Sequence, residues 1–130
     1  MSVEIGLKGR IETVVCDSNT AAAVGSGMVP VFATPFMIAL MEGAAANTVL
    51  PCLAEDEGTV GTHLNVSHTA ATPIGMKVWA EATVTEVNGK ILTFDVAAYD
   101  EAGEIGRGTH QRAIIKPEKF LAKVQAKLQK

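Results

Sequence analysis

One carboxylate stands alone in the first half of the chain. Between Asp17 and Glu55 the only charged side chain is Glu42, which lies within an otherwise apolar segment. A carboxylate in such surroundings costs free energy unless a cation or a hydrogen-bond donor meets it. Glu42 could therefore be a base or nucleophile held by a partner. It could equally reach solvent through a gap in the packing, because glutamate is rarely fully buried.

The segment that carries Glu42, residues 34–53, predicts a long buried helix. Thr34 suits the N-cap, since its hydroxyl can accept a backbone N–H bond, and Pro35 suits the first helical position. Pro51 comes late enough to end or kink the helix. The helix is apolar nearly all round, so other elements should enclose it. Its main apolar face comprises Phe36, Met37, Leu40, Met41, Ala44, Ala45, Thr48, Val49 and Cys52.

Residues 59–70 predict a strand that lies over this helix. Alternate positions should share one face of a strand, and we expect the even-numbered set to face the helix. His68 then lies on the inner side with Leu64 and Val66. A lone inward histidine is more often a hydrogen-bonded core residue than a catalyst, so its position alone does not decide its role. The other members of the set are Val60, Thr62 and Ala70.

The remaining pattern predicts one antiparallel sheet curled around one helix. Strands are expected at residues 9–15, 76–87, 91–99 and 104–115, with a loop at residues 16–33 and a short closing helix from Pro117. Asn88-Gly89 is typical of a type I′ hairpin turn. Gly106 and Gly108 suggest either a bulge or a close approach of another backbone or ligand. The order predicts an α+β fold in a single domain, residues 1–130.

Composition excludes several classes of function. The net charge of −3 offers no basic surface for nucleic acid. Cys16 and Cys52 lack the spacing of a metal site or a disulfide framework, so we expect no metal and no redox cofactor. The N-terminal stretch does not read as a signal peptide, and polar residues interrupt the long helix, so neither export nor a membrane span is expected. A cytoplasmic location is the default expectation.

We also expect a homodimer. The outward sheet positions carry Trp79, Ile91, Ala97 and Tyr99. One small sheet cannot bury its outer face and both edges alone, so a second copy should cover part of them.

The order of elements, with its nearly all-apolar helix, resembles the hotdog fold, whose members mostly act on acyl thioesters of coenzyme A. Three stretches, TPFMIALMEGAA, GTVGTHLNVSHTAATPIGMKV and EIGRGTHQRAII, are similar to the fluoroacetyl-CoA thioesterase type of hotdog enzyme. The resemblance implies a catalytic threonine, glutamate and histidine, which match Thr34, Glu42 and His68. It also implies a strand glycine near the acyl group and an arginine in the last strand, matching Gly61 and Arg112.

The implied constellation suits thioester hydrolysis, which needs an activated nucleophile and a proton for the leaving thiolate. Glu42 could activate water or attack the carbonyl itself, His68 could hold the carboxylate and protonate the thiolate, and Thr34 could position water or join a covalent step. These routes stay open. The loop before Thr34 lacks the bulky aromatic lid of the fluoroacetyl-specific type, so we expect a more general short- or medium-chain specificity, with Met28 shaping the acyl pocket.

The leading hypothesis is therefore a dimeric acyl-CoA thioesterase with its active sites near the subunit interface. The alternative is a non-catalytic hotdog module that binds acyl-CoA as a sensor or partner subunit. Such a module would not need Glu42 and His68 to face one another. A hydroxyacyl-CoA dehydratase is a weaker alternative, because the Asp/His pair that centres hydratase motifs is not seen.

Overall fold

A long helix and the sheet that wraps it make up most of the molecule. The computed structural model describes residues 2–129. Five strands form one antiparallel sheet: β1 (Lys8–Val14), β2 (Gly58–His68), β3 (Lys77–Asn88), β4 (Ile91–Asp100) and β5 (Gly103–Ile115). The helices are α1 (Ala21–Val24), α2 (Thr34–Val49) and α3 (Pro117–Gln125). Single 3₁₀ turns lie at Asp17–Asn19, Leu50–Cys52 and Ala126–Leu128.

The strand order β1-β3-β4-β5-β2 places the second strand of the chain at one edge of the sheet. The long crossover that contains α2 separates β1 from β2, so the helix passes across the inner face before the chain joins the far edge. β2 pairs with β5 along one side only among the described residues. Its other side leaves a row of backbone groups without strand partners.

The core lies between α2 and the inner face of the sheet. Met37, Met41, Ala44 and Ala45 of the helix are fully buried, and they pack with inward residues of the central strands. The inward strand residues are Val78, Ala80, Ala82, Val84, Leu92, Phe94, Val96, Ala98 and Ile105. The apolar face predicted for the helix is thus the buried one, although Phe36 at its start stays 39% exposed.

Two glycines of β5 allow close approach by neighbouring elements, β2 at both positions and α2 at Gly106 alone. A Cβ on Gly106 of β5 would lie 2.6 Å from both the Met37 Sδ atom and the Ser67 carbonyl oxygen. A Cβ on Gly108 would collide with the backbone at Asn65. The close approach predicted for the β5 glycines is confirmed, and it involves β2 as well as α2.

The β3–β4 hairpin differs from the predicted type I′ turn. Asn88 remains in β3, paired with Ile91, so the two loop residues are Gly89 and Lys90. Only Gly89 has a positive φ, at 62°. A type I′ turn needs positive φ at both central residues, whereas glycine at the first position alone fits type II′.

The ends of the chain add little to the core. No residue of α3 is buried. No helix within residues 2–129 combines the length and the apolar character needed to cross a membrane.

Candidate active site

Thr34 and His68 meet where α2 begins and β2 ends. The Thr34 Oγ1 and His68 Nδ1 atoms are 2.8 Å apart. The predicted N-cap role of Thr34 is wrong, because Ala33 takes the cap position with extended backbone angles and Thr34 is already the first helical residue. Its hydroxyl bonds the imidazole, and no side chain caps this helix. We call these two residues the Thr34–His68 pair.

The imidazole of His68 has one ring nitrogen to spare. Its Nε2 atom is buried and has no hydrogen-bond partner within residues 2–129. Burial lowers the pKa of His68, so the neutral ring persists to a more acidic pH than usual. A neutral imidazole has one donor and one acceptor nitrogen. With Nδ1 engaged by Thr34, Nε2 is free to exchange a proton with a bound molecule.

A small cavity adjoins the Thr34–His68 pair. Its volume is about 270 Å³, near or below the lower end of the range for ligand pockets. Small side chains dominate its wall. The lining residues are Ala21, Ser26, Val31, Phe32, Thr34, His68, Thr69, Ala70 and Ala71.

Met28 does not contribute to this cavity in the protomer. Its side chain is 95% exposed, and the loop's contribution to the wall comes from Ser26 instead. Gly25 ends α1 in the left-handed conformation, with φ at 79°, which turns the chain sharply just before Met28. A role for Met28 in an acyl pocket stays a prediction.

Glu42 has a cationic partner, as expected for a carboxylate in an otherwise apolar segment. Its carboxylate lies 3.6 Å from the Nη1 atom of Arg112, which projects inward from β5. The side chain of Arg112 is only 9% exposed, whereas that of Glu42 is 41% exposed. The sequence left two interpretations of Glu42 open, a carboxylate held by a partner and a carboxylate that reaches solvent. Both hold, because the buried Arg112 pairs with Glu42 and solvent still reaches it.

Arg112 is itself fixed by several acceptors. Its Nε atom donates to Thr59 Oγ1 at 2.8 Å, and its Nη2 donates to the Thr59 carbonyl at 3.1 Å. Its Nη1 atom lies 3.2 Å from His110 Nε2. A guanidinium cannot accept a hydrogen bond, so Nε2 of His110 must be the acceptor. Arg112 thus has little freedom to move away from Glu42.

His110 completes this second group. It is buried, and its Nδ1 donates to the His63 carbonyl at 2.8 Å while its Nε2 accepts from Arg112. Burial, with the nearby Arg112 charge, lowers the pKa of His110 and favours this neutral form. Sequence analysis did not select His110 for the site. Its position two residues before Arg112, on the same strand face, was the available clue.

Gly61 allows the Glu42 carboxylate to sit against β2. A Cβ at this position would lie 2.5 Å from Glu42 Oε2 and 3.2 Å from His110 Cε1. Gly61 faces inward opposite Arg112 because the pairing register shifts between Gly61 and His63. We call Glu42, Gly61, His110 and Arg112 the Glu42 cluster.

Because of the same irregularity, the prediction of which β2 side chains point inward is wrong for the first part of the strand. An extra residue at Thr62 reverses the alternation, so Gly61 and Thr59 face inward in the first part of the strand instead of Val60 and Thr62. From Leu64 onward the predicted facing holds, and His68 lies inward as expected.

The Thr34–His68 pair and the Glu42 cluster are separate within one protomer. No hydrogen bond or ion pair joins Glu42 to Thr34 or His68 in the part of the chain that the structure describes. Thr34 and Glu42 are two turns apart on α2, which is about 12 Å along the axis. The structure therefore unites two of the three residues proposed for catalysis and leaves the third with Arg112. Within residues 2–129, no group of three His, Cys, Asp or Glu side chains could hold a metal ion.

Comparison with known proteins identifies the family. Residues 15–118 match the family described as fluoroacetyl-CoA-specific thioesterase. The chain belongs to the fluoroacetyl-CoA-specific thioesterase family. It is 50% identical over 97 residues to the fluoroacetyl-CoA thioesterase of Streptantibioticus cattleyicolor. The aligned region covers 75% of this chain and 70% of that protein.

Solved structures agree with this assignment. A structure of a fluoroacetyl-CoA thioesterase superimposes with a TM-score of 0.93 at 39% identity, covering 98% of both chains. A Thermus thermophilus hypothetical protein described as a thioesterase superfamily member gives 0.86 at 32% identity, covering 94% of this chain and 90% of that one. Membership of the fluoroacetyl-CoA-specific thioesterase family confirms the predicted α+β hotdog fold.

Proposed function

We propose that this protein is a thioesterase that hydrolyses short-chain acyl-CoA to the free acid and coenzyme A. The Thr34–His68 contact beside a small cavity carries the proposal, because it places a hydroxyl and a proton-exchanging imidazole where an acyl group would fit. Relatives named as fluoroacetyl-CoA thioesterases support the substrate class. The cavity volume of about 270 Å³ favours the short end of the expected acyl range.

The proposed reaction uses only groups of the chain and water. In one route Glu42 removes a proton from water as the water oxygen bonds the carbonyl carbon and the C–S bond breaks. In the other route Glu42 attacks the carbonyl itself and expels the thiolate, and water then hydrolyses the resulting anhydride to free the acid and Glu42. His68, oriented by Thr34, starts neutral, accepts the proton released by water at its free Nε2, and passes it to the leaving thiolate. Arg112 holds the Glu42 carboxylate in place. The mechanism calls for no metal or redox cofactor.

The division of the site suggests how two copies complete it. We infer a homodimer in which the free edges of two β2 strands pair antiparallel about a two-fold axis. Reversal of direction brings the Gly61 end of one strand opposite the His68 end of the other. Glu42 of one protomer then approaches the Thr34–His68 pair of its partner, and each active site draws on both chains.

Mixing inactive variants tests this arrangement. Glu42→Ala and His68→Ala should each be inactive alone. Mixed dimers would carry one site with both defects and one intact site, so an equal mixture that exchanges subunits should regain roughly a quarter of wild-type activity. Release of thiol from acetyl-CoA, measured after mild unfolding and refolding of the mixture, reports the recovery.

A second mixture is the matched control. Thr34 and His68 contact each other within one protomer, so Thr34→Ala mixed with His68→Ala leaves one defect in every site of a mixed dimer and should restore nothing. If Glu42→Ala with His68→Ala also restores nothing while subunits exchange, the shared site is refuted.

The alternative remains a non-catalytic module that binds acyl-CoA, and the separation of Glu42 from His68 within the protomer favours it if no dimer forms. Thiol release from acyl-CoAs of increasing length, with Glu42→Ala as control, separates the two. Binding without turnover on every ester supports the module.

We place the protein in the cytoplasm, where thiols such as its two free cysteines stay reduced.

A further inference from the structure

A groove with a positively charged rim lies between α3 and the adjoining end of the sheet. Its volume is about 500 Å³. Ile114, Ile115 and Phe120 supply its apolar surface, and Phe120 is 39% exposed. Four lysines line the rest, namely Lys90, Lys116, Lys119 and Lys123. We call this feature the lysine groove.

The lysines of the groove are poorly compensated. Lys116, Lys119 and Lys123 recur at three- and four-residue spacing around the start of α3, which brings like charges to one side and is unfavourable. Of the four groove lysines, only Lys116 forms an ion pair within residues 2–129, with Asp56 at 3.4 Å. The chain as a whole has a net charge of −3. Such a concentration of cations is offset if an anion occupies the groove.

The lysine groove is within reach of the Glu42 cluster. Ile115 pairs with Gly58, three residues before Gly61, so the start of α3 lies next to the strand that passes Glu42. Lys116 follows Arg112 by four residues, which corresponds to roughly 13 Å along extended chain. A molecule with a reactive end at Glu42 and a long arm could therefore place its other end in the groove.

We propose that the lysine groove binds the nucleotide end of coenzyme A. Lysine ammonium groups act as point charges for phosphate, and the diphosphate and 3′-phosphate supply several negative charges. The exposed Phe120 ring offers a surface on which the adenine base stacks. This inference rests on the proposed thioesterase function, and it assigns the part of the substrate that does not react.

Two substrates that differ only in the nucleotide test the assignment. Acetyl-CoA carries the phosphates and adenine, whereas S-acetyl pantetheine has the same thioester and lacks both. The measured quantity is the ratio of kcat/KM for acetyl-CoA to that for S-acetyl pantetheine. The double variant Lys119→Glu/Lys123→Glu should lower this ratio roughly tenfold, through KM for acetyl-CoA, because two attractive contacts become repulsive.

Lys127→Glu is a charge-reversal control outside the groove. Lys127 lies in the terminal 3₁₀ turn and does not line the groove, so its reversal should leave the ratio at the wild-type value. An unchanged ratio in the double variant would overturn the proposal. An equal loss on both substrates would also overturn it, since the lysines would then support the fold or the reacting end.

A binding measurement keeps the inference separate from catalysis. If the wild-type protein hydrolyses neither substrate, the proposed function fails, but calorimetric titration with coenzyme A still tests the groove. Affinity about tenfold weaker in the double variant than in Lys127→Glu supports the groove, and equal affinity rejects it.

Discussion

Gly61 determines how closely β2 can approach the Glu42 carboxylate. A methyl group there would lie 2.5 Å from Glu42 Oε2, so Gly61→Ala should displace the carboxylate while the strand keeps its pairing. We expect kcat to fall roughly 100-fold, since small misplacements of a reacting group have effects of that size. Steady-state kinetics with acetyl-CoA, alongside circular dichroism to confirm folding, measure the change.

Gly58→Ala provides a control on the same strand. Its added Cβ would meet Pro117 Cγ at 3.4 Å, an ordinary contact. This variant should keep the wild-type kcat. If Gly61→Ala also keeps it, the position of the carboxylate does not limit the reaction.

His68 sets the expected pH dependence of activity. Burial lowers the pKa of its ring below the ordinary value of 6.5. Proton exchange through Nε2 starts from the neutral ring, so activity should be lost on acidification through a pKa below 6.5 and should be flat just above it. The profile of kcat/KM against pH in the wild type and in Thr34→Val measures this limb. A midpoint above 6.5 in the wild type would contradict the assigned role.

At the scale of elements, the hydrophobic pattern predicted which segments are strands and helices. It did not predict for every strand which side chains point toward the helix. Alternation in β2 reads without a break from Thr59 to His68, yet an extra residue at Thr62 reverses its first half. Glycine inside a strand is a known sign of a bulge, so Gly61 was the available clue. Likewise, threonine is a residue type that often caps helices, but the Thr34 hydroxyl bonds the His68 ring instead of the helix backbone.

β1 and α2 pack closely, and two glycines lie at their contact. Substitution of each by alanine should change the free energy of unfolding in opposite directions. Gly9 of β1 lies directly over Thr48, whose side chain would collide with an added Cβ. Gly9→Ala should therefore lower the free energy of unfolding by about 1–3 kcal/mol, as overpacking does. Gly43 within α2 has room, because its Cβ would lie 3.5 Å from Ile11 Cδ1.

Gly43→Ala should accordingly raise the free energy of unfolding by about 0.5–1 kcal/mol, because alanine is the better helix former. Urea unfolding of both variants beside the wild type measures the two changes. The same sign for both would mean that the spacing of helix and strand is not what limits these positions.

At the scale of the whole molecule, the sequence predicted a second copy over part of the outward sheet positions, and this stays a prediction. Outward residues such as Trp79 and Tyr99 drew attention to the outer face, but their rings stack on each other at 5.8 Å, and Arg10 lies 5.1 Å over Trp79. Ala97 is already buried within the protomer. The outer face is therefore partly covered by its own side chains. No pattern in the sequence reveals that the Glu42 carboxylate lies beside Gly61, in the first half of β2, while His68 lies at the end of that strand.

Charge placed on the β2 edge tests the proposed assembly. His63 and Asn65 are exposed near the middle of β2, where a two-fold axis brings each close to its own copy. The double variant His63→Asp/Asn65→Asp sets like charges opposite one another, which opposes edge pairing. Sedimentation should show one chain instead of two, and kcat should fall with the loss of the dimer because the proposed site draws on both copies. Trp79→Lys on the outer face should leave both mass and kcat unchanged. A dimer lost in Trp79→Lys and kept in the edge variant would place the interface on the outer face instead.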